Sequence, residues 1–560
     1  MKRGVLIAIV VIIAIFILLA AAGGFIYLQL TREPFIPNNS ILKINLTGSI
    51  VDNDNSAFSK QETIRDLWYQ IKRAGIDNRI RAIFLRISYL ETDFAKVEEL
   101  GRSIREFKEG GKKVIAYIEG GGIREYYLAT FADKIYVFKG GQLFLNGLAI
   151  ESIFLKNTLS KLGIEAEFFH TGEYKTAGNL FTKDRLTPPH RESLEKIIGD
   201  IFDYTLERIA VNRNLDIGTV KRIFDESPVS NQAYLDAKLI DGLRFEDEIL
   251  EETESQYRQL SYDLYKETGK PYPYRGAKKI AVIFASGEIH PGKSGGKSLF
   301  GGDIMGASTV AAQLKAARTN PSIKAAVLRI DSPGGSSAAS EIIRREAELL
   351  AKEKPLVISM SGMAASGGYW ISMSSPTIMA LPQTITGSIG VVTGKFVLKG
   401  LYDKVGINKE IVKTTPYADL FTDYRLFSEN EKIKIKKMME DVYQQFLENV
   451  SQNRKMKVEE VDKIARGRIW SGNAALELKL VDKLGGLTEA VDEAVKLANI
   501  PAGQNVGLRI YPGKKTMMDF ILDLIGTKAE ADPILTLEAR VGMYKRFFPA
   551  LLVPYKLNIN

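Results

Sequence analysis

The 560-residue sequence contains no cysteine and only three histidines, His170, His190 and His290. The absence of cysteine excludes disulfide bonds, thiolate metal ligands and a cysteine nucleophile. So few histidines do not favour a metal site built on several imidazoles, and we expect neither a metal nor another cofactor. Zinc-finger spacing and RNA-binding aromatic motifs are also missing. Because Lys and Arg are scattered among acidic residues, the net charge of +9 indicates a solvated surface, and we expect no nucleic-acid partner.

Long apolar runs are scarce as well, with one exception at the N-terminus. The segment Gly4–Leu30 contains no charged residue, and it is longer than the roughly 20 apolar residues needed to span a bilayer. Because Lys2 and Arg3 precede it, we expect the N-terminus in the cytoplasm and the rest of the chain on the outer side. A removed signal peptide is the alternative, since Ala20–Ala22 resembles a cleavage site. The length of the run favours a retained transmembrane helix.

Beyond this run, the sequence repeats itself. The segment Val229–Leu243 matches Trp470–Leu484 in its serine, its first alanine and its ending K-L-[IV]-D-x-L. Further positions match at a nearly constant offset, namely Gly48 with Gly287, Ile80 with Ile323, and Gly163 with Gly406. Self-similarity across most of each half predicts a tandem duplication.

Each half alternates short apolar runs with longer segments of helical spacing. The runs Ile280–Phe284, Ala325–Ile330 and Leu356–Met360 predict buried strands, and Ser340–Lys352 predicts a helix. This alternation predicts an α/β fold in which helices cover a parallel sheet. Gly and Pro cluster between Glu267 and Lys279, where we expect the halves to join. The predicted domains are an N-terminal segment with the anchor (1–32), a first repeat (33–268), a second repeat (269–505) and a C-terminal tail of unknown role (506–560).

The two repeats differ reciprocally at two positions. Ser366, within Ala-Ala-Ser-Gly-Gly, falls opposite Arg124 of the first repeat, whereas Lys175 falls opposite Ala418 of the second. A serine hydroxyl is a weak nucleophile until a base removes its proton. Lysine can be that base once burial lowers its pKa from about 10.4. We therefore expect Ser366 as nucleophile and Lys175 as general base in one site shared by the two repeats.

A glycine-rich turn, Asp331–Ser336, follows one of the predicted strands. Backbone N–H groups at such a turn can bind an oxyanion, which makes Gly335, the adjacent Gly334 and also Gly367 candidate donors. An ordinary tight turn is the alternative interpretation. A Ser-His-Asp triad is not favoured, because none of the three histidines lies in a context typical of a catalytic base.

These motifs resemble the signal peptide peptidase A family, also called protease IV, in its long, duplicated form. The matching segments lie between about Ile41 and Ile500 and are GEYK at Gly172, DSPGGS at Asp331, MAASGGYW at Met363 and TGSIGV at Thr386. The resemblance implies tandem domains related to the Clp protease and crotonase superfamily, with a Ser/Lys dyad of Ser366 and Lys175. It also implies that Ser388 hydrogen-bonds the lysine amine and that Gly335 and Gly367 supply the oxyanion N–H groups.

The same resemblance implies a serine endopeptidase that degrades signal peptides left after secretion. It would be a homo-oligomer, expected to be a tetramer, held by residues 4–30 on the outer face of a bacterial cytoplasmic membrane. Two alternatives stay open. A crotonase-type acyl-CoA enzyme also uses paired N–H groups at a Gly-Gly turn and would bind CoA tightly. A catalytically silent membrane scaffold would be unaffected by Ser366→Ala or Lys175→Ala.

Overall fold

The computed structural model describes residues 34–54, 61–268, 270–298, 303–501 and 503–513, and the backbone of a strand at residues 550–552. The anchor predicted at residues 4–30 lies outside these ranges. Within them, none of the helices combines the length and apolar character that crossing a membrane requires.

The first repeat supplies seven of the described strands and ten of the described helices. Its strands are β1 (Ser40–Ser49), β2 (Ile80–Glu91), β3 (Lys113–Gly120), β4 (Lys134–Phe138), β5 (Glu165–Thr171), β6 (Gly242–Arg244) and β7 (Arg258–Ser261). Its helices are α1 (Ile64–Ile76), α2 (Phe94–Glu109), α3 (Ile123–Ala129), α4 (Lys156–Leu162), α5 (Asn179–Thr182), α6 (Pro188–Arg213), α7 (Ile217–Glu226), α8 (Asn231–Asp236), α9 (Glu246–Glu254) and α10 (Tyr262–Glu267).

The rest of the described chain continues the same alternation. Its strands are β8 (Lys279–Ser286), β9 (Glu288–His290), β10 (Ile304–Gly306), β11 (Ile323–Ser332), β12 (Gly334–Ser336), β13 (Leu356–Ala365), β14 (Ile378–Ala380), β15 (Ile385–Gly387), β16 (Val391–Val397), β17 (Ile469–Ser471), β18 (Lys483–Leu484), β19 (Gly507–Tyr511) and β20 (Ala550–Leu552). Its helices are α11 (Ala307–Thr319), α12 (Ser337–Glu353), α13 (Gly367–Ser372), α14 (Lys399–Val405), α15 (Glu429–Arg454), α16 (Val458–Ile464), α17 (Gly472–Glu477) and α18 (Leu487–Leu497).

Each repeat builds a sheet with six parallel strands in the same order. The first sheet runs β6-β4-β3-β2-β1-β7, and the corresponding strands of the second run β18-β14-β13-β11-β8-β19. The second sheet also contains β15, parallel to β13, and β17, antiparallel to β15. The central strands are buried and apolar on both faces, as Val327, Leu328 and Ile358 illustrate, which is typical of sheets covered by helices on both sides. The α/β class and the duplication are thereby confirmed. Strand β19 belongs to this sheet although its residues fall in the predicted C-terminal tail.

A third sheet joins the repeats, in the order β10-β9-β12-β20-β16-β5. Strand β5 of the first repeat runs antiparallel to β16 of the second, with Thr171 opposite Val391. The segment that follows β5 still belongs to the first repeat, but it therefore lies against the second repeat. Strand β12 lies in the same sheet, followed at once by helix α12, whose N-cap Ser336 accepts a hydrogen bond from the N–H of Ala339. Consequently one sheet carries both the glycine-rich turn and the strand that leads to Lys175.

Candidate active site

Ser366 occupies the sharp turn between strand β13 and helix α13. Its φ of +57° is unusual for a residue other than glycine, and its N–H donates to the carbonyl oxygen of Gly387 at 2.8 Å. Gly367 follows it, and a Cβ there would lie 2.6 Å from Ser340 Oγ. The absence of a side chain at Gly367 therefore permits a close approach of the turn to its neighbours, and the positive φ of Ser366 is a strained conformation.

Lys175 reaches Ser366 from the first repeat. The chain turns after β5 at Gly172, whose φ is +92°, and the amine of Lys175 ends 2.7 Å from Ser366 Oγ. Neither side chain has exposed surface. The two residues that differ reciprocally between the repeats thus meet within hydrogen-bonding distance inside one chain.

Ser388 contacts the same amine. Lys175 Nζ lies 2.9 Å from the Ser388 carbonyl oxygen and 2.9 Å from its Oγ. Ser388 itself has a φ of +51°, and its N–H donates to the carbonyl oxygen of Arg468 at 2.7 Å. A neutral amine can donate its two hydrogens to the two Ser388 oxygens. Its lone pair then faces the hydroxyl of Ser366.

Burial lowers the pKa of Lys175 well below its usual value. Removing an ammonium from water disfavours its charged form unless a carboxylate compensates for the lost hydration. The three close contacts of Nζ are all uncharged oxygens of Ser366 and Ser388. This environment favours the neutral amine, the form that can accept a proton.

The glycine-rich turn lies beside the serine. A Cβ on Gly367 would sit 3.2 Å from the backbone nitrogen of Gly335, so these two residues are immediate neighbours. Gly335 has a φ of +152°, and a Cβ there would lie 2.1 Å from the carbonyl oxygen of Ile289, which leaves no room for a side chain. The N–H of Gly334 donates to Ser332 Oγ at 3.1 Å. Gly335 and Gly367 are therefore better placed than Gly334 to offer N–H groups to a ligand.

An extended piece of the chain's own backbone runs along this turn. Strand β20 pairs antiparallel with β12, placing Leu551 opposite Gly335, and it also pairs with β16, where Ala550 lies opposite Val392. The space between β12 and β16 thus accommodates a strand. A strand in this place is recognised through main-chain hydrogen bonds, which do not depend on a particular side-chain sequence.

One segment that positions Lys175 was missed by the sequence analysis. Gly467 packs so closely on Lys175 that a Cβ at Gly467 would lie 2.4 Å from the backbone nitrogen of Lys175. Next to it, the Arg468 guanidinium stacks on the rings of Tyr174 and Trp470, at 4.7 and 4.8 Å from their centroids. The signal that could have revealed this segment is again a difference between the repeats, because Gly467 falls opposite Glu226.

The histidines have other contacts. His170 bonds to the carbonyl oxygen of Gly172 at 2.8 Å, and His290 lies 2.9 Å from a carboxylate oxygen of Glu288. His190 is buried, which lowers its pKa to about 4. The basic side chain within hydrogen-bonding distance of Ser366 Oγ is therefore the amine of Lys175 and not an imidazole. Within the ranges that the structure describes, no three histidine or acidic residues are grouped to hold a metal ion.

Comparison with known proteins gives concordant matches. The model of peptidase family S49 matches residues 106–260 and 348–501, one segment in each repeat. The chain is 32% identical over 510 residues to the serine protease SPPA, chloroplastic, of Arabidopsis thaliana, covering 88% of this chain and 74% of the relative. It is 34% identical over 483 residues to protease 4 of Salmonella typhi, covering 83% and 76%. A putative signal peptide peptidase SppA of Enterococcus faecium is 32% identical over 220 residues, covering 39% and 63%.

Among solved structures, a mutant of ClpP1 from Listeria monocytogenes matches 38% of this chain and 95% of its own, at 14% identity and a TM-score of 0.24. A score this low does not establish a common fold. The predicted kinship with the Clp protease and crotonase superfamily therefore stays a prediction.

Proposed function

The chain belongs to peptidase family S49 and is a serine peptidase, and on that basis we propose that it cleaves peptide bonds with a Ser366–Lys175 dyad. The observation that carries this proposal is the distance of 2.7 Å between Lys175 Nζ and Ser366 Oγ, two side chains without exposed surface. In this proposal Ser366 is the nucleophile and Lys175 the general base. Ser388 holds the amine through its carbonyl and hydroxyl oxygens. The acyl-CoA alternative lacks comparable support.

The proposed reaction has two halves. As Ser366 Oγ bonds to the scissile carbonyl carbon, its proton passes to the Lys175 amine, and negative charge develops on the carbonyl oxygen. The C–N bond then breaks, the Lys175 ammonium gives its proton to the leaving amine, and an acyl-serine remains. Water then gives a proton to the same amine as its oxygen attacks the ester carbonyl carbon. The ester C–O bond breaks, and the ammonium returns the proton to Ser366 Oγ, which regenerates the serine and releases the carboxylic acid.

The carbonyl oxygen needs donors placed where its charge develops. Gly367 is the first residue of helix α13, and the first N–H of a helix has no acceptor within it. Gly335 lies beside it, in a conformation that excludes a side chain. We assign the backbone N–H groups of Gly335 and Gly367 to the oxyanion. Gly334 supports the turn, since its own N–H is engaged by Ser332.

The position of strand β20 supports an extended peptide as substrate. It runs between β12 and β16 and pairs with both. A substrate that takes this place would be bound chiefly through its backbone, so its scissile bond would pass Gly335. Binding of this kind suits a peptidase that degrades peptides of many sequences.

We propose signal peptides as the substrate class. One relative bears the name putative signal peptide peptidase SppA. The charge-free segment Gly4–Leu30 is long enough to span a bilayer, and an enzyme anchored there would meet peptides left in the membrane. The proposal therefore includes a single-pass anchor, with the catalytic domains on the outer face of a bacterial cytoplasmic membrane. It also includes a homo-tetramer, which the resemblance to the family implies.

The test is cleavage of a hydrophobic signal-peptide sequence by the full chain in detergent, compared with Ser366→Ala, Lys175→Ala and the double variant. Each single substitution is expected to reduce kcat by about 10³-fold or more, and the double variant no further, because the two groups act as one unit. Cleavage by Ser366→Ala at the wild-type rate would refute the assignment.

Matched controls are available. Ser372 is a buried serine of helix α13, which follows Ser366, and its hydroxyl donates to the carbonyl oxygen of Gly368. Lys395 is a buried lysine whose pKa burial lowers to about 8, and its Nζ donates to the carbonyl oxygen of Leu420. Ser372→Ala and Lys395→Met should keep kcat within a few-fold of the wild type. Their retention of activity would separate loss of the dyad from loss of a buried polar group.

A further inference from the structure

Asp331 joins three parts of the molecule beside the serine. It is the first residue of the glycine-rich turn, and its Oδ1 accepts a hydrogen bond from the N–H of Met363 at 3.1 Å. Met363 belongs to β13, which leads directly to Ser366. The other carboxylate oxygen of Asp331, Oδ2, lies 2.8 Å from Lys96 Nζ of the first repeat. The Asp331 carboxylate thus links the glycine-rich turn to β13, the strand before Ser366. Lys96 of the first repeat forms an ion pair with that carboxylate.

Lys96 is itself held firmly. It is buried on helix α2, and its amine also pairs with Asp93, the N-cap of that helix. The helix end packs tightly on β13, since a Cβ on Gly362 would lie 2.2 Å from Asp93 Oδ2. Burial lowers the pKa of Lys96, but Asp331, Asp93 and Asp52 outweigh it and leave the pKa above its usual value. The amine is therefore a fixed positive charge.

A second buried cation lies on the strand that ends at this turn. Arg329 of β11 has no exposed surface, and its guanidinium lies 3.2 Å from Asp52 and 3.0 Å from Glu99, both of the first repeat. Asp52 also accepts from Ser361 of β13 at 2.7 Å. Together with Lys96 and Asp331, these residues form a network of buried ion pairs across the interface between the repeats. Removing one member of such a pair leaves the other as an uncompensated buried charge.

We propose that Lys96 is a positioning residue for catalysis, supplied by the first repeat, which sets the glycine-rich turn at its working distance from Ser366. This inference rests on the proposed function, because it assigns the turn to oxyanion binding. Oxyanion donors act only when they lie about 2.7–3.1 Å from the developing charge. Without Lys96, the Asp331 carboxylate would face Asp93 and Asp52 with no lysine between them. The start of the turn would then move away from β13, or Asp331 would take up a proton.

Arg102 provides a matched control on the same helix. It also crosses the repeat interface, with its guanidinium 2.8 Å from Glu489 of α18 and 2.9 Å from Glu98. It contacts neither the glycine-rich turn nor β13 through these bonds. Lys96→Met and Arg102→Met each replace one cation at the repeat interface by an apolar side chain that is also unbranched. If Lys96 were merely structural, the two variants would behave alike.

The experiment measures kcat and KM for one hydrophobic peptide, together with thermal unfolding, in the wild type and in Ser366→Ala, Lys96→Met, Lys96→Arg and Arg102→Met. Lys96→Met is expected to lower kcat at least tenfold with KM within about twofold, because the turn acts on the transition state and not on substrate binding. Arg102→Met is expected to lower the unfolding temperature but to keep kcat within about twofold. Lys96→Arg, which retains the charge, should recover most of kcat.

A kcat for Lys96→Met equal to that of Arg102→Met would overturn the proposal, provided that Ser366→Ala is inactive. If Ser366→Ala stays active, the proposed function fails instead, and the two failures are thus distinguishable. Should Lys96→Met not fold, Asp331→Asn serves as the second variant, because its side-chain oxygen still accepts from Met363 while the attraction to Lys96 is lost. Its kcat is expected to fall about threefold to tenfold, and an unchanged kcat would equally refute the proposal.

Discussion

At the scale of single residues, the site depends on an amine that has no counter-charge among its close contacts. Lys175 is held by oxygens of Ser366 and Ser388, and burial lowers its pKa. The unfolded chain binds a proton at this lysine up to about pH 10.4. Between the lowered folded pKa and that value, the unfolded state holds more protons, so this residue makes stability fall as pH falls.

Lys175→Met is therefore expected to stabilise the fold at neutral pH while abolishing activity. Between its unfolded pKa and its lowered folded pKa, the buried neutral lysine costs about 1.4 kcal/mol for each pH unit, and methionine fills a similar volume without that cost. Thermal unfolding of both proteins at pH 7 and pH 10 measures the effect. The unfolding temperature of the variant should exceed that of the wild type at pH 7, by a margin that shrinks at pH 10. A variant less stable at pH 7 would contradict this.

The sequence suffices to find some of these residues. Ser366 and Lys175 are predictable because each repeat has lost one of them, so comparing the copies isolates the pair. Ser388 emerges only through resemblance to a family, since a serine in TGSIG has no distinctive chemistry of its own. Gly467 differs between the repeats, but that difference assigns it no role, because its importance lies in a contact with the backbone of Lys175, which is distant in the sequence.

At the scale of elements, the segment Arg466–Arg468 holds Lys175 in place by backbone contacts. The N–H of Tyr174 donates to the carbonyl oxygen of Arg466, and the carbonyl oxygen of Arg468 accepts from Ser388. Gly467 lies between them against the lysine. The same short loop thus supports two of the residues around the amine.

Gly467→Ala should therefore reduce kcat strongly, by about tenfold to a hundredfold, because its methyl group would displace Lys175 and small misplacements are costly in catalysis. The matched control is Gly406→Ala. Gly406 has a φ of +74°, close to the +83° of Gly467, but a Cβ there meets no atom within 4 Å. An alanine at either position has the same unfavourable positive φ, but only the methyl group at position 467 would contact Lys175. Equal kcat values in the two variants would contradict the role of the loop.

The elements themselves were unevenly predictable. Apolar runs such as Leu356–Met360 lie within observed strands, and Ser340–Lys352 lies within helix α12, because burial on a sheet or on one helix face dictates their composition. The pairing of β5 with β16 has no such signal. It joins strands of different repeats far apart in the chain, and each strand carries a mixture of polar and apolar residues.

At the scale of the whole molecule, duplication yields two like sheets and one assembled Ser–Lys pair within the described chain. The strand orders agree, yet the position of the serine in the first repeat holds Arg124, whose guanidinium lies over the ring of Phe94 at 5.5 Å. The first repeat has instead supplied Lys175 to the second. The equal strand order was predictable from the repeated sequence, whereas the third sheet that joins the repeats was not.

The C-terminal tail provides a test at this scale. Since β20 lies where a substrate strand would pair, removal of residues 514–560 is expected to lower KM for a short hydrophobic peptide about threefold to tenfold. A synthetic peptide of residues 545–560, added to the truncated protein, should raise KM again by competition. Steady-state kinetics of the full and truncated chains provides the measurement. An unchanged KM after truncation would mean that the strand does not compete with substrate.

The most direct test of the central claim, that the neutral amine of Lys175 activates Ser366, is the rate at which a fluorophosphonate labels the protein across pH. The reagent requires an activated serine but no peptide binding. Labelling of the wild type should occur at Ser366 and rise with pH to a plateau, with an apparent pKa well below the lysine reference of about 10.4. Lys175→Met should be labelled at least about a hundredfold more slowly, without that rise. Labelling of Lys175→Met at the wild-type rate, with the same pH dependence, would contradict the account.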